Sequence, residues 1–144
     1  MKITAIELRT EVKKIWPNLE EIWTFDSEYW CPMVKELNDA IAASKIKYME
    51  YIPEINDCDD YALQLHAEIK RMRSLLAQGG SIPDNEQVSW AFGECAGTMF
   101  RGISIYHMLN ICYCEEGGII LIDGIDLKTW NATPENDQVY YMRF

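Results

Sequence analysis

The chain has 144 residues, 49% of them hydrophobic and 12% aromatic, which supplies enough apolar surface for a packed domain and excludes a disordered chain. Thirteen Lys and Arg against 23 Asp and Glu leave a net charge of −10, which excludes a phosphate-binding nucleic-acid groove. No stretch approaches the roughly 20 apolar residues of a membrane span, and no apolar h-region follows Met1. Five cysteines show no disulfide framework, so the expectation is a soluble protein with reduced thiols, intracellular or made inside a host cell.

Apolar Ile6, Leu8, Val12 and Ile15 fall at helical spacing over residues 4–15, with Thr4 placed to cap the helix and Trp16-Pro17-Asn18 to end it. Residues 20–30 are rich in aromatics (Trp23, Phe25, Tyr29, Trp30) and read as extended chain or loop. Pro32 suits the first turn of a second helix, whose inner face carries Met33, Val34, Leu37 and Ile41. Tyr48 to Pro53 reads as an extended link. A third helix is predicted over 57–77, where Tyr61, Ala62, Leu65, Ile69, Met72 and Leu76 form one apolar face and Asn56 or Asp57 is the cap. Lys70-Arg71-Met72-Arg73 reads as a solvated helix end, with a partner site as the alternative.

Gln78 to Asn85 is the clearest loop in the chain. Val88 to Gly93, Ile103 to Cys114 and Ile119 to Asp123 then read as strands, with Glu115-Glu116-Gly117-Gly118 as a hairpin turn and Gln138 to Phe144 as a last strand. The expected fold class is α+β, with N-terminal helices packed on a small antiparallel sheet. A single domain is expected over 1–144: a helical part at 1–78, a loop at 78–86 and an antiparallel sheet part at 87–144.

The segment Asn56-Asp57-Cys58-Asp59-Asp60-Tyr61-Ala62 puts a thiol in the first turn of the third helix. Helix N–H groups favour the thiolate by about 0.3–1 kcal/mol, while the three carboxylates oppose it. A reactive Cys58 therefore needs a partner from elsewhere. His66 is eight residues along the same helix, about 12 Å away, and cannot pair with it. His107, early in a predicted strand, can: a thiol at a helix start facing a strand imidazole is an arrangement that activates cysteine. Asp123 ends the next strand and is the candidate to orient the ring, with Asp126 as runner-up. Pairing about the hairpin turn sets Asp123 opposite residues 111–112, and a bulge or register shift is needed to bring it to His107.

Asp57-Cys58-Asp59-Asp60-Tyr61-Ala62, then His107-x-x-Asn110, then an acidic strand end, resembles a group of papain-like cysteine peptidases close to the transglutaminase-like group. That group includes the C-terminal domain of a fungal agglutinin and many small bacterial and phage proteins. Asp26-x-x-Tyr29, Ser44 and Tyr51 extend the resemblance, which covers roughly 22–134. It implies a papain-like or transglutaminase-like core, with Cys58 as nucleophile, His107 as base and Asp123 as orienting acid. It also implies a role for Asn110, and the cytoplasm of a bacterium or phage-infected cell as location. Two positions depart from the family: Tyr106 stands where Gly is usual and narrows the site, and Asp123-Gly124-Ile125 replaces Glu-Pro-Gln.

The resemblance implies no required cofactor, though calcium supports activity in the agglutinin branch. Asp57, Asp59 and Asp60 are the residues that could hold such a cation, or else they simply cap the helix. Cys112-x-Cys114 lacks a second pair for zinc and reads as buried thiols. An oxyanion donor is sought among Trp23, Ser27 and Trp30.

Three functions follow. The first is a cysteine hydrolase, a peptidase or amidase, acting through a thioester acyl-enzyme on a peptide or protein substrate. The second is a non-catalytic acidic binding or inhibitor protein with a protein partner, on the same fold. The third is an acyltransferase of transglutaminase type. Neither nucleic acid nor membrane is an expected partner, and the sequence leaves the oligomeric state open.

Overall fold

The structure, a computed structural model, describes residues 1–144. Helix α1 (Ala5–Ile15) starts at a reciprocal cap: Glu7 N–H donates to Thr4 Oγ1 at 3.2 Å, and Thr4 N–H donates to Glu7 Oε2 at 2.9 Å. It buries Leu8 and Val12. Helix α2 (Val34–Ala43) buries Leu37 and Ile41. Helix α3 (Cys58–Gln78) follows Asp57, whose N–H donates to Asp60 Oδ2 at 3.3 Å, and buries Tyr61, Ala62, Leu65, His66 and Ile69. No helix is long and apolar enough to cross a membrane.

Eight strands accompany them. β1 (Lys2–Thr4) and β3 (Glu28–Trp30) form a two-stranded antiparallel ribbon. β2 (Glu21–Trp23), β4 (Phe92–Thr98), β5 (His107–Cys114), β6 (Gly118–Ile122), β7 (Thr129–Asn131) and β8 (Gln138–Arg143) form one sheet in the order β2-β8-β4-β5-β6-β7. The β2–β8 pair is parallel and the other pairs are antiparallel.

This corrects the expected fold class. Helices do not precede a small antiparallel sheet; the sheet is six-stranded and mixed, and it begins with a strand from the first 30 residues. Strands of three residues are too short to show a period-two pattern, and β2 finds its partner at the far end of the chain, where no local signal points. β4 also lies later than predicted, because it runs through Gly93, Ala96 and Gly97, which are poor strand formers. Glycine is required there by β8: a Cβ at 93 would lie 1.9 Å from the Arg143 carbonyl oxygen, and one at 97 would lie 2.0 Å from that of Gln138.

The sheet is covered on both faces. On one face Cys95, Leu109, Ile111, Leu121, Met142 and Phe144 pack against Leu8, Val12 and Trp16. On the other Phe92, Cys112, Ile120 and Ile122 pack against Leu37, Ile41, Tyr61, Leu65 and Ile69. A polar row crosses this second face under α3, because Arg143 is opposite Glu94, Glu94 opposite Asn110, and Asn110 opposite Ile122. Asn110 Nδ2 donates to Ala62 O of α3 at 2.8 Å and to Gly93 O at 3.1 Å. The side chain is fully buried, so Asn110→Ala should lower stability by about 1–3 kcal/mol. Urea unfolding should show a lower midpoint with an unchanged slope; an unchanged midpoint would show that Asn110 does not hold the helix to the sheet.

Candidate functional site

The first turn of α3 meets the first residues of β5. Cys58 is half-buried, and its thiol lies close to the backbone N–H of Met108, the residue after His107. His107 Nε2 is 3.1 Å from Asp123 Oδ2. The hairpin register explains how that carboxylate arrives: Cys114 pairs with Gly118 and Asn110 with Ile122. A three-residue turn therefore continues Asp123 toward Leu109, two to three positions nearer His107 than the sequence pairing placed it. Residues offset by two across an antiparallel pair share a face, within reach of long side chains.

The structure thus joins His107 to Asp123 and brings Cys58 to the neighbouring backbone. No hydrogen bond joins the thiol to the imidazole. His107 Nδ1 makes no hydrogen bond and is the ring atom left for a further partner.

Asp123 is nearly fully buried, and both its oxygens are used. Oδ1 accepts the Ile125 N–H at 3.0 Å, and Oδ2 accepts Arg101 Nη2 at 3.0 Å as well as facing His107. Arg101 also donates through Nη1 to Asp126 Oδ2 at 2.8 Å and lies 5.1 Å from the centre of the Trp130 ring. Asp126 is therefore an ion-pair partner of Arg101, and no bond joins it to the imidazole. Its carboxyl is held below its usual range: burial raises it, but the hydrogen bonds from Arg101 and the Lys128 N–H prevail.

Sequence reading missed Arg101. The chain reaches it through left-handed backbone at Met99 (φ 65°) and at Arg101 itself (φ 53°), conformations that no residue type there announces. Phe100, Arg101, Ile103, Ile105, His107 and Asp123 line a cleft of about 210 Å³. Ile103 and Ile105, predicted as strand, are exposed walls of this cleft.

The other candidates lie as follows. Tyr106 is exposed beside His107. Asn110 faces α3 and is a structural clip. The Trp30 ring lies against Arg73, fifteen residues and about 22 Å along α3 from Cys58. Trp23 Nε1 donates to Glu21, and Ser27 supplies its carbonyl to the Ala5 N–H. None of these three is a donor at the cleft. Ligand atoms of Asp57, Cys58 and Asp59 lie within 4.8 Å of one another, but Asp60 turns back to its own helix start. Two carboxylates and a thiol do not fit calcium, which takes six to eight oxygens.

Burial pushes the Cys58 thiol above its usual range, and the charges of Asp57 and Asp59 push the same way, against the Met108 and Asp59 N–H groups. The close approach of the two carboxyls holds Asp57 below and Asp59 above the ordinary value. The other four thiols, Cys31, Cys95, Cys112 and Cys114, are fully buried.

No protein-family model matches the chain, and no curated protein matches it. Two among the solved structures that share its fold illustrate the likeness. One, described as the PSL1a–E64 complex, has a TM-score of 0.76 at 16% identity and covers 99% of this chain and 51% of its own. The other is Polyporus squamosus lectin bound to the human-type influenza-binding epitope Neu5Acα2-6Galβ1-4GlcNAc, with a TM-score of 0.76 at 15% identity, covering 99% of this chain and 49% of its own. The chain therefore spans about half the length of the proteins it matches.

These matches correct the assignment drawn from the motif. Neither structure is described as a peptidase or a transglutaminase, and one is described as a lectin. The papain-like and transglutaminase-like assignment falls, and with it the hydrolase and acyltransferase functions it implied. A cysteine at a helix start followed by His-x-x-Asn on a strand reports how a helix end meets a strand. Activity has to be argued from the site itself.

Iodoacetamide should label Cys58 alone in the folded protein. Because the thiol is raised, its labelling rate should climb with pH and reach half its maximum at a higher pH than an ordinary exposed thiol does. Asp59→Asn removes a nearby negative charge and should move that half-maximum to lower pH. A profile unchanged in Asp59→Asn would show that the carboxylate does not act on the thiol.

Proposed function

We propose that the protein is a ligand-binding protein whose working site is the start of β5, where the first turn of α3 places Cys58 to bond an electrophilic ligand and a cleft opens at His107. The observation that carries this reading is the convergence of three groups: a half-buried thiol at the helix start, an imidazole on the next strand held by Asp123, and an apolar-walled cleft at that imidazole. One structure with the same fold is a complex with E64, an epoxide that reacts with thiols.

In the reaction with such an epoxide, the Cys58 S–C bond forms as a ring C–O bond breaks. The thiol proton passes to His107 Nδ1 and from there to the opened oxygen. Asp123 fixes the ring through Nε2 and balances the charge the imidazole gains. Phe100, Ile103 and Ile105 suit an apolar side chain of a peptide or protein ligand. Five thiols without a disulfide suit the reducing cytoplasm.

Incubation with E64 should add the mass of one molecule, located on Cys58 by peptide mapping. Cys58→Ala should abolish the addition, and His107→Ala should slow it by about 10²-fold. Addition elsewhere, or at an unchanged rate in His107→Ala, would overturn the reading.

Glycan binding is a second reading, supported by the lectin structure and its epitope. Titration with Neu5Acα2-6Galβ1-4GlcNAc should then give saturable binding. Failure to bind would assign the glycan to the half of the lectin chain that has no counterpart in this protein.

A further inference from the structure

Arg101 sits on a turn whose backbone is left-handed at Met99 (φ 65°), at Arg101 (φ 53°) and at Gly102 (φ 79°). The turn is closed by the Gly102 N–H, which donates to Met99 O at 2.8 Å, and by the Ile103 N–H, which donates to Phe100 O at 3.0 Å. Left-handed backbone is unfavourable for Met and Arg, and it persists where the surroundings fix it. What this turn aims is the Arg101 side chain, toward the cleft wall at His107 and Asp123.

There the guanidinium and the imidazole converge on one atom. Arg101 Nη2 donates to Asp123 Oδ2 at 3.0 Å, and His107 Nε2 is 3.1 Å from the same oxygen. The two nitrogens therefore lie within about 6 Å of each other, a range at which one charge alters the protonation of its neighbour. Asp123 Oδ1 accepts the Ile125 N–H at 3.0 Å, so Oδ2 is the oxygen that serves both. Asp126 Oδ2 accepts Arg101 Nη1 at 2.8 Å and holds the guanidinium in place, with Lys128 Nζ 3.6 Å from that oxygen.

A thiolate forms at Cys58 when its proton passes to His107, and the imidazolium then leans on the charge of Asp123. Arg101 opposes this transfer in two ways. It draws on the oxygen that would balance the imidazolium, and its own positive charge repels the ring once it is protonated. On the side of α3, Asp57 and Asp59 already hold the thiol up. On β4, Gly97 stands opposite His107 and brings no charge. The remaining ionisable neighbour is Tyr106, which is exposed.

We propose that Arg101 is a positioning residue that restrains Cys58: by sharing Asp123 Oδ2 with His107 it withholds charge from the imidazole, so the thiol keeps its proton at rest. The proposal rests on the reading of Cys58 and His107 as partners. The site is built for low intrinsic reactivity, and the left-handed turn exists to place the restraining cation.

The test is the rate at which iodoacetamide labels Cys58, followed against pH and located by peptide mapping. Asn tolerates left-handed backbone, so Arg101→Asn removes the charge without straining the turn. Near neutral pH it should label about tenfold faster than wild type, with the half-maximum lower by about one pH unit. Arg101→Gln is a second neutral variant and should behave alike. Arg101→Lys keeps a cation and should label within about threefold of wild type. Because Arg101 acts through the ring, His107→Ala should cancel the effect of Arg101→Asn. A merely structural arginine predicts the opposite, slower labelling of Cys58 or labelling of the buried thiols as well. The proposal is overturned by either of those results, by a wild-type rate in the neutral variants, or by an acceleration that persists in His107→Ala. E64 uptake by the wild type is read separately: without it the reading of the site as a ligand-bonding thiol falls, while the iodoacetamide rates still decide the role of Arg101.

Discussion

Arg143, Glu94 and Asn110 stand in line across three adjacent strands, on the face that α3 covers. Apolar residues at those positions would let the helix slide, because dispersion contacts are not directional. Asn110 instead grips the carbonyl of Ala62 and Glu94 faces the ring of His66, one turn further along. Two fixed points on one helix set both its height and its rotation. The position of Cys58, one turn before Ala62, follows from that grip.

The row has a cost, since a buried carboxylate loses several kcal/mol of hydration. Glu94 offsets this with the Arg143 fork and the His66 ring, so its four lone-pair sites are well used. Asp123 solves the same problem differently. It is nearly buried and takes one backbone N–H, one guanidinium and one imidazole. Because Arg101 and His107 share Oδ2, the charge of Asp123 is divided between them. Arg101 reaches that oxygen through left-handed backbone, which costs on the order of 1–3 kcal/mol per residue. The same guanidinium ties the 100–105 wall of the cleft to the turn after β6, so cleft shape and imidazole orientation are coupled through one side chain.

The helices were legible because each carries its own signal. Thr4 and the spacing of Leu8, Val12 and Ile15 announce α1, and the three- and four-residue steps from Tyr61 to Met72 announce α3. The hairpin from β5 to β6 was legible from Glu115 to Gly118. What failed was non-local. β2 has three residues and a partner at the other end of the chain, and β4 is spelled with glycines because β8 approaches closely. Ile103 and Ile105 read as strand yet form an exposed cleft wall, since β-branched residues alone do not separate a strand from an apolar loop. At the site, Cys58, His107 and Asp123 were visible as residue types with plausible spacing. Arg101 was invisible, because its role depends on backbone torsion and on a carboxylate 22 residues away. The activity drawn from the motif did not survive comparison of folds, which shows that a local pattern constrains geometry more tightly than it constrains chemistry.

The opposing forces on Cys58 can now be ordered. The helix N-terminus favours the thiolate by about 0.3–1 kcal/mol. Burial, Asp57 and Asp59 act against it and prevail, so the resting group is a thiol. A resting thiol is protected from indiscriminate oxidation, because thiolate character controls that chemistry. Reaction then requires a base that acts only when a ligand is present. His107 meets the geometric condition on one side, with Nε2 anchored and Nδ1 unoccupied. A ligand that excludes water from the cleft would strengthen the pull of the imidazole on the thiol proton, while Asp57 and Asp59, with ligand atoms within 4.8 Å of the thiol, go on opposing the thiolate. Selectivity in this site therefore resides in the cleft wall and in Arg101, which holds that wall in place, more than in any intrinsic reactivity of the cysteine.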